Sequence, residues 1–116
     1  MNGFYFITKW PLSLKPFYIL PDDDPKYSRG FDFMFNEVEM TSGGQRVHDV
    51  TMLRERLKEQ GLDPEGFNHY LDPFRYGMPP HAGWGLGLDR LAMTFAGAKN
   101  VRECVLFPRD RTRMTT

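Results

Sequence analysis

Alternating apolar and polar residues predict the strands of this chain. Phe4 to Trp10 is aromatic and β-branched, which is typical of a strand, and Pro11 closes it. Lys15 to Leu20 predicts a second strand, and Phe31 to Thr41 predicts the longest one. A glycine-rich strand is expected from residue 83 onward, directly before a helical pattern.

Apolar residues at helical spacing predict three further segments. A helix is expected from Asp49, a favoured N-cap residue, to Gln60. A second should start at Asp63-Pro64, and a third should run from about Leu88 to Ala96 before Gly97 ends it. Strands and helices are segregated rather than strictly alternating, so we expect an α+β fold in which helices flank an antiparallel sheet.

Composition narrows the class of protein. A chain of 116 residues forms one domain at most, and its ten phenylalanines favour a core built on the sheet. Lys plus Arg equals Asp plus Glu, so no global basic field argues for a nucleic-acid partner. The single cysteine, Cys104, cannot form an internal disulfide, and no apolar run is long enough to span a membrane. These features fit an intracellular compartment.

The octapeptide Gly-Trp-Gly-Leu-Gly-Leu-Asp-Arg, residues 83–90, is the most informative motif. In a strand, Gly83, Gly85 and Gly87 would share a face without side chains, while Trp84, Leu86 and Leu88 would anchor the other face to a core. A bare face suits a flat ligand lying against the backbone. Arg90, at the strand-to-helix junction, could then meet the phosphates or base of a nucleotide. The alternative is a tight β-α turn with a surface arginine.

A second group of polar residues begins where the aromatic positions of Phe31 to Glu39 give way to carboxylates. Glu39 and Ser42 have opposite parity, so a regular strand cannot point both at one ligand, but a bulge or bend at Gly43-Gly44 could re-aim them. A carboxylate and a hydroxyl suit Mg²⁺ shared with phosphate oxygens. Arg46 follows with a planar fork suited to a carboxylate. A hairpin turn at Gly43-Gly44 with exposed polar flanks is equally compatible with these residues.

Together these segments resemble the C-terminal part of the catalytic domain of class II aminoacyl-tRNA synthetases, and within them the aspartyl enzymes of the archaeal type. The resemblance runs from about Phe4 to Met114. It is carried by Lys-Pro-Phe-Tyr at 15–18, Glu-Met-Thr-Ser-Gly-Gly-Gln-Arg-Val-His at 39–48, Phe-Arg-Tyr-Gly-Met-Pro-Pro-His at 74–81, Gly-Leu-Gly-Leu-Asp-Arg at 85–90 and Leu-Phe-Pro-Arg-Asp at 106–110. The run ending in Arg90 is similar to motif 3 of the family. Asp89 stands where eukaryotic members of this branch tend to carry Glu.

The resemblance implies a role for each matching residue. It places Mg²⁺ and the ATP phosphates at Glu39 and Ser42, with Ser42 also near the amino acid. It implies that Arg46 binds the side-chain carboxylate of aspartate. Its ATP-binding run matches Gly87, Leu88, Asp89 and Arg90, of which Arg90 is the candidate catalytic residue. The implied partners are ATP, L-aspartate and tRNA, and the implied compartment is the cytoplasm.

Motif 1, motif 2 and the anticodon-binding barrel of the family have no counterpart in residues 1–116. We therefore expect an incomplete catalytic domain that is inactive alone, exposes apolar surface, and associates with a missing N-terminal part or with other copies. Two other functions stay open. One is an ATP-dependent asparagine synthetase on the same scaffold, and the other is a non-catalytic module that binds ATP or aspartate.

Overall fold

A four-stranded antiparallel sheet, with its strands side by side in chain order, forms the centre of the structure. The computed structural model describes residues 2–114. Its strands are β1 (Phe4–Thr8), β2 (Gly30–Phe35), β3 (Val38–Arg46) and β4 (His81–Leu86). The prediction of an α+β fold with an antiparallel sheet is confirmed.

The first and third helices lie where their patterns predict them, but the second begins at Asn68 rather than at Asp63-Pro64, because Pro64–Phe67 forms a 3-10 turn. The helices are α1 (Val50–Glu59), α2 (Asn68–Arg75) and α3 (Leu88–Ala96), and short 3-10 turns cover Leu12–Leu14, Pro64–Phe67 and Val101–Cys104. The Asp49 carboxylate accepts the Met52 amide at 2.8 Å and so caps α1. Gly97 ends α3 with φ at 64°, a conformation that glycine adopts without strain.

The predicted strand from Phe31 to Thr41 is wrong, because the chain reverses at Asn36-Glu37 and forms the β2–β3 hairpin. Asn36 has φ of 52°, and asparagine tolerates this left-handed conformation better than other side chains do. The turn is fastened to β1, since the Gly3 amide donates to Asn36 Oδ1 at 2.8 Å. Two strands therefore take the place of one.

The predicted strand from Lys15 to Leu20 is also wrong. Pro16 has no amide to donate to a ladder, and its carbonyl accepts the Ile19 amide at 3.0 Å in a turn. Ile19 still forms an isolated bridge with Arg46, which holds the segment beside the end of β3.

The register of the hairpin shifts next to Glu39. Phe33 pairs with Thr41, whereas Met34, the next residue of β2, pairs with Glu39, so Met40 is left as an extra residue. Asp32 and Met34 share a face of β2, and their partners are Ser42 and Glu39. The bulge therefore brings Ser42 and Glu39 to one face despite their opposite parity.

Gly43 and Gly44 lie inside β3, so the alternative of a hairpin turn at these residues is wrong. The re-aiming bulge also lies before them rather than at them. Gly44 instead permits close packing, because a Cβ there would lie 2.7 Å from the Arg29 carbonyl oxygen.

The main core lies beside the sheet, where α1 and α2 pack against the Phe17–Leu20 segment. Its buried members are Val47, Leu53, Leu57, Leu71 and Phe74. The expectation of a sheet-centred core is wrong for one face of the sheet, which we call the aromatic face. Phe4, Phe6, Phe31, Phe33, Trp84 and Leu86 lie on it.

Side chains of the aromatic face stay open to solvent. Trp84 is 62% exposed, Phe6 63% and Leu88, at the start of α3, 70%, so the predicted anchoring of the Trp84, Leu86 and Leu88 set to a core is wrong. The expectation that the chain exposes apolar surface is confirmed. Over the described residues, the helices are too short or too polar to cross a lipid bilayer.

Candidate functional site

Polar residues collect on the sheet face opposite the aromatic face, and we call this the pocket face. β4 pairs with β3 so that Gly83 lies opposite Gly44 and Gly85 opposite Ser42. A cavity of about 350 Å³ opens over these strands. Its lining includes Lys15, Tyr18, Ser42, Arg46, Gly83 and Gly85.

A larger groove of about 1040 Å³ lies away from this face, between the Pro21–Lys26 loop and α1. Its charged lining residues include Arg56 and Glu59, which already pair with each other at 2.6 Å. The smaller cavity is the better candidate site because polar groups from separate segments converge on it.

Arg46 lies at the end of β3 with its side chain against the Gly83 backbone and the Tyr18 ring. The guanidinium carbon is 5.1 Å from the centre of the Tyr18 ring, within cation–π range. Within residues 2–114, Arg46 forms no ion pair with a carboxylate. Burial raises the pKa of the Tyr70 phenol above its ordinary value, and the adjacent Arg46 charge opposes this rise. The cavity therefore contains a cation that can accept an anionic ligand.

Ser42 takes part in a buried polar cluster with Asp32 and Lys15. The Ser42 hydroxyl donates to Asp32 Oδ1 at 2.6 Å, and Lys15 Nζ donates to the same oxygen at 2.9 Å. The side chains of Lys15 and Asp32 are only 12% and 8% exposed, so little water screens this ion pair. The cluster holds the Ser42 hydroxyl and the Lys15 amine of the cavity lining against a buried carboxylate.

Glu39 in β3 and Arg90 in the first turn of α3 form a salt bridge. Arg90 Nη1 donates to the Glu39 carbonyl at 2.7 Å and to its carboxylate Oε1 at 3.1 Å. Gly87 makes room for this approach, since a Cβ there would lie 3.2 Å from Arg90 Cδ. The predicted proximity of Glu39 and Arg90 on one side of the molecule is confirmed.

The remaining residues of the predicted ATP-binding run lie at the start of α3. Gly87 is the N-cap residue, and its amide donates to the Met40 carbonyl at 2.9 Å. Leu88 and Asp89 are exposed in the first turn, outside the residues that line the cavity. Arg90 is thus the member of the run that bonds to Glu39, and neither Gly87 nor Arg90 lines the cavity.

The three glycines of the motif do not form one uniform bare surface. Gly83 and Gly85 lie in β4 on the pocket face, but Gly87 lies beyond the strand. A Cβ at Gly83 would meet the Arg46 guanidinium, whereas a Cβ at Gly85 would meet nothing within 4 Å. Gly85 alone leaves open space above the strand for a flat ligand.

The oxygen donors of the pocket face suit a hard divalent cation. Among the residues that the structure describes, no three acidic, histidine or cysteine side chains converge into a complete metal cage. Mg²⁺ does not require one, because it keeps several waters and is usually bound through one or two carboxylates plus substrate phosphates. Glu39, Ser42 and Asp32 offer such a donor set on one face.

Sequence reasoning missed Asp32, Lys15 and Tyr18 as site residues. A carboxylate between Phe31 and Phe33 inside an apolar strand was a usable signal, since a buried charge requires a partner. The roles of Lys15 and Tyr18 depend on the turn at Pro16, which the pattern did not predict.

Comparison with known proteins identifies the family of this chain. The family model for tRNA synthetases class II (D, K and N) matches residues 1–111. The chain belongs to this family. A relative from Methanothermobacter thermautotrophicus, an aspartate–tRNA(Asp/Asn) ligase, is 58% identical over 99% of this chain and 26% of its own length. The resemblance to archaeal-type aspartyl enzymes is confirmed.

Solved structures of class II synthetases share the fold. An aspartyl-tRNA synthetase from Entamoeba histolytica is 45% identical, with a TM-score of 0.91 over 97% of this chain and 23% of that one. An asparaginyl-tRNA synthetase from Pyrococcus horikoshii, complexed with asparaginyl-adenylate, is 35% identical, with a TM-score of 0.92 over 97% of this chain and 27% of that one. The chain thus spans about a quarter of the length of these class II synthetases.

Proposed function

We propose that residues 1–116 are the C-terminal portion of the catalytic domain of a cytoplasmic aspartate–tRNA ligase. In this function the chain contributes to the binding of L-aspartate, ATP and Mg²⁺ for the formation of aspartyl-adenylate, and then to the charging of tRNA. The family membership and the 58% identity to an aspartate–tRNA(Asp/Asn) ligase support the assignment.

The single observation that carries the proposal is Arg46, a cation in the cavity without a carboxylate partner in the described part of the chain. Its planar fork can accept the side-chain carboxylate of aspartate in a bidentate manner. Asparagine would present an amide NH₂ to the same donors and leave them poorly matched. Arg46 is therefore the proposed determinant of aspartate over asparagine, with Ser42 beside the bound amino acid.

ATP is proposed to lie over Gly85 and against Gly87 and Arg90, with Leu88 and Asp89 framing the start of α3. Glu39 and Ser42 are the proposed Mg²⁺ ligands, and Asp32 supplies a second carboxylate next to Ser42. When bound, the ion would neutralise phosphate charge during transfer. Arg90 would exchange its Glu39 carboxylate partner for phosphate oxygens.

The proposed reaction begins with in-line attack of the aspartate α-carboxylate on the α-phosphorus of ATP. Pyrophosphate leaves, aspartyl-adenylate forms, and the aspartyl group is transferred to the 3′ end of tRNA with release of AMP. The residues contribute positioning and charge neutralisation rather than covalent chemistry, so we assign no general base.

ATP–pyrophosphate exchange tests this function. We expect the isolated chain to give no appreciable exchange, because residues that would hold the rest of ATP have no counterpart in it. Mixing with the N-terminal remainder of a class II aspartyl relative should restore aspartate-dependent exchange. Ordinary turnover by the chain alone would contradict the proposal.

The two other candidate functions predict different results in the same assays. A non-catalytic module would bind ATP or aspartate in calorimetry but gain no exchange activity on mixing. An ATP-dependent asparagine synthetase would, after mixing, consume ammonia and form asparagine from aspartate. Dependence on tRNA in the second step favours the ligase.

A further inference from the structure

Gly83 lies directly beneath the charged end of Arg46. A Cβ at position 83 would lie 2.9 Å from Arg46 Nη2, 3.0 Å from Nε and 3.2 Å from Cζ. These three atoms all belong to the guanidinium group, so the close approach depends on the missing side chain. Gly85, two residues further along the same face, would place its Cβ in open space.

Tyr18 makes the second contact with this guanidinium, at 5.1 Å from the ring centre. The ring is itself held in place, because Tyr18 packs against the buried core and meets Phe17 edge-on at 5.4 Å. The Leu20 amide also donates to the Gln45 carbonyl in β3, and the Val47 amide donates to the Tyr18 carbonyl, at 2.9 Å each. The tyrosine and the arginine are therefore fixed relative to each other by backbone as well as side-chain contacts.

We propose that Gly83 and Tyr18 are positioning residues that hold the Arg46 guanidinium ready for a carboxylate, and so set the preference for aspartate over asparagine. This inference rests on the proposed function. A free arginine side chain samples many rotamers, and a bidentate contact requires one orientation of its planar fork. If the guanidinium is already ordered before the ligand binds, less conformational entropy is lost on binding.

The substitution Gly83→Ala tests this with little risk to the fold. The atoms that an added methyl would meet form the far end of a flexible side chain, which can move aside. Gly85→Ala is the matched control, since it adds the same methyl to the same strand and face without contacting Arg46. Circular dichroism and thermal melting of both variants report whether the fold is retained.

The readout is the Arg46 Nε–H signal in nitrogen-15 NMR of the ligand-free chain, assigned by its loss in Arg46→Lys. The signal should be displaced by the ring current of Tyr18 and should move in Gly83→Ala but not in Gly85→Ala. If it stays in place in folded Gly83→Ala, the proposal is overturned. A variant that affects only general stability would not move this one arginine signal selectively.

Tyr18 provides an independent pair of variants if Gly83→Ala fails to fold. Tyr18→Phe keeps the ring and should keep the Arg46 signal near its original position, whereas Tyr18→Leu removes the ring and should shift and broaden it. Equal spectra from the two variants would overturn the role of Tyr18.

Titration with aspartate and asparagine then separates the positioning claim from the proposed function. The unmodified chain should bind aspartate at least tenfold more tightly than asparagine, and Gly83→Ala should reduce this ratio several-fold. If the unmodified chain shows no preference, the proposed carboxylate site fails, even where the ligand-free spectra support the contacts. If the preference is present but unchanged in Gly83→Ala, the positioning role fails while the proposed function stands.

Discussion

Arg46 at the end of β3 and Arg90 in the first turn of α3 each lie against a glycine, yet they have different partners. Arg46 contacts Gly83 and the Tyr18 ring and has no carboxylate in the described structure. Arg90 contacts Gly87 and is already paired with Glu39. Gly83 lies against the guanidinium of Arg46, whereas Gly87 lies against the aliphatic stem of Arg90.

The difference separates two kinds of recognition. A guanidinium without a counter-ion, held beside an aromatic ring, is suited to a ligand that brings its own carboxylate. A guanidinium paired with a half-exposed glutamate is suited to a site where a metal ion can take over the glutamate and release the arginine to phosphate. The first arrangement fits an amino-acid pocket and the second a nucleotide pocket.

Arg46→Ala should give the largest effect. Removing one partner of a desolvated charge pair costs about 2–5 kcal/mol, so aspartate affinity should fall roughly 100-fold. ATP affinity should change little. Calorimetry with each ligand checks this, and an unchanged aspartate affinity would refute the assignment of Arg46 to the amino acid.

Arg90→Ala is the reciprocal experiment, in which ATP binding rather than aspartate binding should weaken. Loss of a hydrogen bond from a charged group should weaken ATP binding about tenfold while aspartate binding stays within error of the unmodified chain. If both arginine variants weaken both ligands equally, the division into two pockets is wrong.

Glu39→Gln should have a smaller effect of opposite sign. Neutralising Glu39 removes the carboxylate that holds Arg90 and repels phosphate, so ATP should bind about threefold more tightly without Mg²⁺. The further gain on adding Mg²⁺ should be lost. Glu37→Gln, at the exposed hairpin turn, is the control and should leave both affinities unchanged.

The pKa of Tyr70 reports on the charge of Arg46 but not on that of Arg90. Because burial raises the pKa of Tyr70 and the Arg46 charge opposes that rise, Arg46→Met should raise the pKa further. Arg90→Ala should leave it in place. Following the Tyr70 ring signals by NMR against pH measures both, and a fall in the pKa with Arg46→Met would show that the two groups are not coupled as described.

Candidate residues were easier to select from the sequence than to place in space. Glu39, Ser42, Arg46 and Arg90 could be selected because few residue types bind metal, carboxylate and phosphate. That Glu39 and Ser42 share a face could not be derived, since it depends on the bulge at Met40, which has no local sequence signal.

The fold was predictable where capping residues mark the boundaries of an element. Asp49 marks the start of α1 and Gly97 the end of α3, as expected. Asp49 caps a free backbone amide, and Gly97 adopts a positive φ without strain. The turn at Asn36-Glu37 was missed since it lacks the glycine that usually follows asparagine in a tight hairpin. Gly83 beneath Arg46 was out of reach of sequence reasoning because it requires the register of β3 against β4.

Binding of a non-hydrolysable aspartyl-adenylate analogue, with a sulfamoyl group in place of the phosphate, tests the account most directly because one molecule must reach both arginines. We predict that the chain binds it more tightly than ATP or aspartate alone, and that Arg46→Ala and Arg90→Ala each weaken it by at least tenfold. The asparaginyl analogue should bind more weakly, and Arg46→Ala should remove that difference. Equal binding of the two analogues to the unmodified chain, or indifference to either substitution, would contradict a shared site on the pocket face.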